Sequence, residues 1–421
     1  MYLELSEKSM HCVRKIALLV LACSVSGQDV DAAEWALEGT LGQELQYNDN
    51  ISLNPIRKDP VVGYLLTPGF QATRKSGVLD LAFGGRADIR RYDDQRWDCD
   101  NFNLDANNGY RTNRSVFSLI GGYSVNCSYN LQLTDTGVIL PNNQAENYRV
   151  APSWTWQWTA RDQLILDASY SKTSYSSTQG GTALNNNASI FSGNDSYTVH
   201  LGGKHEWSQR LSLNEKLYFS NIQYTGSNTS TQNLYGFQLG ADYKIDRLWT
   251  VGAGGGPVWV DTQPSSNDTS SIQNSSMTLG RVANINLNYN GQVTDFSIGY
   301  SNTVNPSAIG QTLQTQSAFA NYSYHLTRDL MLDLSSSYSL SQSIGKSTDN
   351  LNNQFNRTYF TGAAGITWEL EKHWQLKGSY VYRWQNYKQD QNVQNLNVGT
   401  SDSNLVMLFL NYSWDGIRVS R

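Results

Sequence analysis

Long apolar runs are missing from this chain of 421 residues, and histidine, cysteine and excess positive charge are scarce. Each shortage excludes something. The longest apolar stretch, Ile16 to Ala22, falls far short of the roughly 20 residues that a membrane-crossing helix needs. Hydrophobic residues make up only 39% of the whole, so no bundle of membrane helices is encoded. Five histidines, one of them near the N-terminus, leave little material for a metal centre or a general base. A formal net charge of -5 without any basic run argues against nucleic acid as a partner. No glycine-rich phosphate loop opens a helix: Gly252 to Gly256, interrupted by Ala253, sits in a strand pattern, where glycines permit curvature or close packing.

What the sequence does have is alternation. Side chains two apart on a strand share a face, so Trp154, Trp156 and Trp158 form one greasy face while Ser153, Thr155, Gln157 and Thr159 form a wet one. The beat returns at Tyr235, Phe237, Leu239, Ala241 and Tyr243, and again at Leu330, Leu332 and Leu334 opposite Asp333, Ser335, Ser337 and Ser339. A soluble sheet covers its apolar face with a second layer, and nothing here supplies one; lipid is the remaining solvent. About eighteen such runs, 16 being the other even count considered, extend from 35–47 to 403–415, most of them roughly 12 to 16 residues long, as tilted membrane-crossing strands require.

Every second connection is tight, as at Arg74-Lys75-Ser76-Gly77, Asp246-Arg247 and Asn290-Gly291, while the others, such as Ser176 to Asp195 and Thr262 to Ser276, are long and polar. The fold expected is therefore an all-β, transmembrane, up-and-down antiparallel barrel with short turns and both termini on the periplasmic side. Aromatic residues reach 12%, enough for girdles at two membrane surfaces, with Trp154, Trp156, Trp158, Tyr235, Tyr380, Trp384, Tyr412 and Trp414 as candidates, although a lectin-like sandwich is also rich in aromatics. The last run, ending in Val406, Leu408, Leu410, Tyr412 and Trp414, resembles the assembly signal of outer-membrane proteins, with Asp415 to Arg421 trailing after it.

Arg14 and Lys15 precede the apolar run, and small residues follow to Ala32 and Ala33, so residues 1–33 read as a secretory signal and 34–421 as one barrel domain. Met10 is an alternative start. Val20, Leu21, Ala22 and Cys23 loosely match a lipobox, which gives an acylated Cys23 as a second processing route. Cys99 and Cys127 remain for an oxidising compartment, as a loop-stapling disulfide, as two free thiols or as a metal pair; no histidine neighbours either.

Parity puts Arg86, Asp88, Arg90, Arg149, Lys204, Lys216, Tyr218, Tyr224, Asp242, Lys377 and Arg383 on the inward face, a mixed-charge lining able to select polar or charged solutes or simply to brace a wide wall. Tyr218 and Tyr224 suit stacking, and Arg86 and Lys216 suit contacts to anions. A constriction is expected from an inward-folded loop, with Ser176 to Asp195 the candidate. Asp93, Asp94, Asp98 and Asp100 form an acidic loop with weak potential for calcium. No catalytic constellation and no cofactor motif is found; His200 faces inward beside Lys204 and Glu206, His205 lies on the apolar face near Trp207, and His325 and His373 flank turns.

Tyr47-Asn48-Asp49-Asn50-Ile51, Pro68-Gly69-Phe70, Arg91-Tyr92, Thr136-Gly137-Val138 and Pro152-Ser153-Trp154-Thr155 together resemble the outer-membrane β-barrel proteins that accompany exosortase/PEP-CTERM and exopolysaccharide systems in Gram-negative bacteria, most clearly over about the first 180 positions. That resemblance implies a barrel tied to envelope or polysaccharide export. The sequence thus points to a non-enzymatic outer-membrane channel for exopolysaccharide or small polar solutes. A non-conducting scaffold that docks an envelope partner is the alternative, and an outer-membrane hydrolase is disfavoured. The partners expected are outer-membrane lipid and lipopolysaccharide, the barrel assembly machinery and periplasmic polysaccharide-export components.

Overall fold

The computed structural model describes residues 33–137, 139, 143–177, 191–225, 229–264, 276–344, 356–388 and 399–420. Eighteen strands run in chain order: β1 Glu34–Asn48, β2 Val61–Lys75, β3 Leu79–Tyr92, β4 Cys99–Arg111, β5 Ser115–Cys127, β6 Asn143–Gln157, β7 Asp162–Ser177, β8 Gly193–Glu206 and β9 Leu211–Thr225. The second half comprises β10 Ser230–Lys244, β11 Trp249–Pro264, β12 Ser276–Asn290, β13 Thr294–Pro306, β14 Thr312–His325, β15 Leu330–Ser343, β16 Asn356–Glu371, β17 Trp374–Lys388 and β18 Gly399–Ser420. Each pairs antiparallel with its sequence neighbours, and β1 pairs with β18, so the sheet is a closed meander with no free edge along most of its length. Both described ends of the chain lie at the tight-turn end, where Glu34 is opposite Ser420 on one side and Lys75 on the other.

The tight turns close because short polar side chains satisfy the backbone groups that the hairpins leave unpaired. Ser76 Oγ accepts from the Leu79 amide, Thr112 Oγ1 from Ser115 and Ser208 Oγ from Leu211, at 3.0 Å each. Asp246 Oδ1 accepts from Leu248 and Trp249, at 2.7 and 2.8 Å. Above the turns the register carries the two faces apart. Trp154, Trp156 and Trp158 stack in one ladder with Phe117 on the outside, ring centroids 6.1–6.2 Å apart, and Trp158 is 68% exposed. Gly256 occupies the one place on β11 where the neighbouring strand comes closest: a Cβ there would lie 1.7 Å from the Phe237 carbonyl oxygen.

Two features differ from the sequence reading. The tail after Trp414 is strand, since β18 continues to Ser420 in register with β1, with a glycine bulge at Gly416 (φ +73°) beside Leu37. The connection after β5 carries a short helix, α1, Ser128–Gln132.

The inward face is not uniform. Toward the turn end, most inward positions hold small or polar residues, as in the row of Gly252, Asn286 and Gly299 from β11 to β13, with Phe319 on β14 and Phe409 on β18 as exceptions. Toward the loop end they become apolar and buried. Ile222, Tyr224, Leu234, Val258 and Val260 form one cluster on β9–β11, and Val61, Tyr92 and Tyr359 join Ile51, Leu53, Trp97, Leu133 and Ile139 from the loops in another. A hydrophobic core therefore sits inside the barrel at its loop end.

Candidate solute passage

The segment from α1 to Gly137 folds into the lumen and crosses to the far wall. Arg357 of β16, 2% exposed, holds it: Nη2 donates to the Leu133 carbonyl at 2.8 Å and Nε donates to Gln385 Oε1 at 3.1 Å, while the guanidinium lies 4.5 Å from the centre of the Tyr359 ring. Gly137 rests against that guanidinium with φ +70°, and a Cβ there would come within 2.3 Å of Arg357 Nε, so both conformation and space require glycine. On the opposite side, Asp135 Oδ2 accepts from the Ala308 amide at 2.8 Å, tying the plug to the 307–311 connection between β13 and β14. Burial pushes the Asp135 carboxyl above its ordinary range, against the pull of the Ala308 amide, the Ser307 hydroxyl and the Arg357 charge. Within the plug, Thr136 bonds to Gln132 through their side chains, and the Gly137 amide donates to the Gln132 carbonyl at 2.6 Å.

The same connection and two others close around it. Tyr224 donates from its hydroxyl to the Gln311 carbonyl at 3.0 Å, Thr312 bonds to Gln232, and the Ser192 amide donates to the Ala308 carbonyl at 2.6 Å. Gln385 Nε2 donates to the Leu53 carbonyl at 3.2 Å, fastening the 49–60 connection to the same wall. Cys99 and Cys127 are joined as a disulfide, Cα atoms 6.3 Å apart, and Cys127 is the residue from which α1 departs; its amide donates to Asn101 Oδ1 at 2.8 Å. The staple thus fixes the root of the plug.

The segment expected to constrict the lumen was Ser176 to Asp195, and most of it lies outside the described residues. The described inward-folded segment is 128–137. The aromatic pair proposed for stacking is also placed differently. Tyr224 is 3% exposed beneath the plug, and the Tyr218 ring lies against the wall over Gly236, where a Cβ would meet it at 2.0 Å. The four acidic residues that suggested calcium are occupied by cations and amides. Asp94 pairs with Arg96 at 2.6 Å, Asp100 with Arg91 at 2.6 Å, Asp98 Oδ1 accepts from the Tyr92 amide at 2.8 Å and Asp93 Oδ1 from the Val62 amide at 3.0 Å. No group of three potential ligands for a metal ion occurs among the described residues.

Below the plug, the inward charges gather on one side. Arg86 and Asp88 form an ion pair at 2.7 Å on β3, with Asp88 buried. Arg149 faces inward between Gly122 and Ser171; Asp167 is directly opposite His200, which in turn faces Tyr218, with Lys216 next along β9. Lys204 and Glu206 sit lower, 3.9 Å apart, and Asp242 accepts from Asn214 Nδ2 at 2.6 Å. Arg90 lies opposite Cys99, Lys377 near the turns opposite Phe409, and Arg383 at the plug, its Nη1 3.4 Å from the Tyr129 hydroxyl. Across the lumen, β11–β15 present mainly Gly, Asn and Ser, such as Asn284, Ser301, Ser317 and Ser339. The passage beneath the plug therefore has one wall dense in charge and another whose inward charges on β13 and β15 are Asp295 and Asp333 near the turns.

Sequence reasoning missed the plug's holders, Arg357, Gln385, Asp135 and Gly137. The signal that marks them is loss of alternation at the loop ends of strands. Val258-Trp259-Val260 is apolar on both faces, which a wet lumen does not call for.

No protein-family model matches the sequence, and no curated protein matches it. Among solved structures, the chain is similar to OccAB4 of Acinetobacter baumannii, at 12% identity over 93% of this chain and 99% of that one with a TM-score of 0.47. It is also similar to OpdL of Pseudomonas aeruginosa, at 12% identity over 90% and 98% with a TM-score of 0.45, and to OccK2 (OpdF) of the same organism in complex with glucuronate, at 10% identity over 90% and 98% with a TM-score of 0.46.

Proposed function

We propose that this protein is an integral outer-membrane channel that passes small polar solutes by diffusion through a lumen narrowed from within by the 128–137 plug. The observation that carries the proposal is the opposition of the two faces on a closed wall. Large apolar side chains such as Leu45, Leu217, Leu239 and Leu408 are about half exposed on the outside, while charged and amide side chains face the interior. A soluble protein does not leave such a belt bare, and lipid solvates it without further structure. The secretory signal supplies the route, and the tight-turn end, with both described chain ends, faces the periplasm.

The charge-dense wall of β3–β9 across from the charge-poor wall of β11–β15 sets a field across the passage, which selects solutes by charge and orients polar ones. The apolar core at the loop end, closed by the plug, favours small solutes over a polysaccharide chain. Single-channel recording of the refolded chain in a planar bilayer tests the proposal. Small discrete steps that are insensitive to added oligosaccharide are expected, and Arg86→Ala with Lys216→Ala shifts the cation-to-anion permeability ratio. Silence in the bilayer overturns the channel in favour of a scaffold. Large steps blocked by oligosaccharide restore the polysaccharide reading that the resemblance to exopolysaccharide-system barrels implies.

A further inference from the structure

Between the aromatic levels of the outer wall, where side chains face lipid, Glu215 and Arg281 are the charged residues among those described. Glu215 of β9 follows Leu213 and precedes Leu217 on the outward face, four residues above the start of its strand, and its side chain lies across Gly203, the residue opposite on β8. Arg281 of β12 stands between Leu279 and Ala283, opposite Pro257. Both are exposed, and neither has an ion pair or hydrogen bond to another described residue. The other outward charges on this wall lie at strand ends and have partners, as Lys172 has Asp195 at 3.2 Å. An ionisable side chain that faces lipid without a partner is costly and calls for one.

The surface between the two charges carries Leu239 and Phe237 on β10 and small residues on β11 and β12. The register runs from Glu215 through Leu239 on β10 and Gly255 on β11 to Ala283 on β12, with Ala241 opposite Ala253 in the next row. Glu215 and Arg281 thus bracket a face three strand spacings wide, about 14 Å.

We infer that this face, β9 to β12, is the interface for a second copy of this chain in the membrane, with Glu215 of each copy paired to Arg281 of the other. The charges are what identify the partner. A twofold axis along the barrel direction, passing between them, brings each acidic group to the opposite basic one, and an isologous contact demands that self-complementarity. Arg281 sits nearer the loop end, and its long stem swings toward the carboxylate across the small side chains. Removing both charges from hydrocarbon into one contact satisfies the need that lipid leaves open. The inference rests on the membrane reading above.

The test counts subunits of the full chain in lipid nanodiscs or bilayers by native mass spectrometry or stepwise photobleaching over a range of protein-to-lipid ratios. The wild type is expected to form dimers. Glu215→Gln lowers the dimer fraction about tenfold at a fixed ratio by leaving Arg281 unpaired, Glu215→Arg abolishes it, and Glu215→Arg combined with Arg281→Glu restores it. Heat-modifiable migration and an unchanged conductance step in each variant show that the barrel has folded and inserted, so failure of the interface is distinguishable from failure of the channel. A wild type that stays monomeric at every ratio overturns the inference, as does a dimer indifferent to Glu215→Gln, or a double reversal that folds and conducts but stays monomeric.

Discussion

The two ends of the lumen are lined by the same strands with the same inward parity, yet one end is open and the other is a packed core. On β11 the inward positions run from Gly252 and Gly254 near the turn to Val258 and Val260 near the loops, the last two 0% and 1% exposed. β18 departs from this pattern: Phe409 and Met407 face inward in its lower half, Leu405 is buried above them, and the buried loop-end positions are Ser403 and Ser401. A barrel of this many strands is wide enough for water to fill it, so apolar inward residues at one end have a use only if something covers them. The plug and the loops around it supply that cover. The barrel thus carries two solvents on its outside and inside near the turns, and a third environment, a protein core, inside near the loops.

The largest expected effect on this contrast comes from removing the cover. Replacing 128–137 by a short Gly-Ser bridge that keeps Cys127 should raise single-channel conductance several-fold, because the narrowest level then passes to the charge-dense and charge-poor walls below. Opening the Cys99–Cys127 bond comes next. Closing a loop of this sequence separation, 28 residues, stabilises by about 3.6 kcal/mol in the loop-entropy account. Cys99→Ser with Cys127→Ser should therefore lower the urea midpoint, and protease access to the plug should rise under native conditions.

Arg357→Ala leaves the Leu133 carbonyl and Gln385 without their buried partner at a cost of about 2 kcal/mol. Hydrogen exchange of the 131–137 amides should quicken while that of β1 and β10 is unchanged. The smallest effect concerns pH. A carboxyl raised by burial above its ordinary value of 3.8 holds its proton more tightly in the docked plug than in the undocked one. Docking should then tighten as pH falls from the docked value toward 3.8, be fully tightened below 3.8 and lose this contribution above the docked value. Asp135 is faced by Arg357 from β16, Tyr175 from β7, Tyr224 from β9 and the Ser307-Ala308 segment. Asp135→Asn should flatten the pH dependence of plug exchange, with Arg357→Ala retaining it in part.

Strand number, order and facing were legible because one physical constraint, lipid outside and water inside, writes itself on every second residue of a long strand. Trp154, Trp156 and Trp158 announce their face without reference to any other part of the chain, and turn residues such as Asp246 and Ser208 act within three residues of themselves. The plug was not legible in that way. Its holders are far apart in sequence: Arg357 and Leu133 are separated by 224 residues, and Ala308 and Asp135 by 173. Parity gives Tyr218 and Tyr224 the right face but not their depth, and Tyr224 lost its expected role because the apolar cluster around it is covered. The acidic loop at 93–100 misled for a related reason. Asp94 is matched to Arg96 two residues along, while Asp93 and Asp100 are matched to an amide and an arginine that the fold brings near, Val62 and Arg91.

Cysteine accessibility along the inward face tests the contrast between the two ends most directly. Asn284→Cys places a thiol on the exposed inward face below the plug, and Val258→Cys places one in the buried loop-end core; among the described residues the native cysteines, Cys99 and Cys127, are already paired. In proteoliposomes a small water-soluble thiol reagent should label position 284 about a hundredfold faster than position 258, the ratio that a local opening free energy of about 3 kcal/mol imposes. Equal labelling at the two positions would mean that water reaches both, and that the lumen has no core.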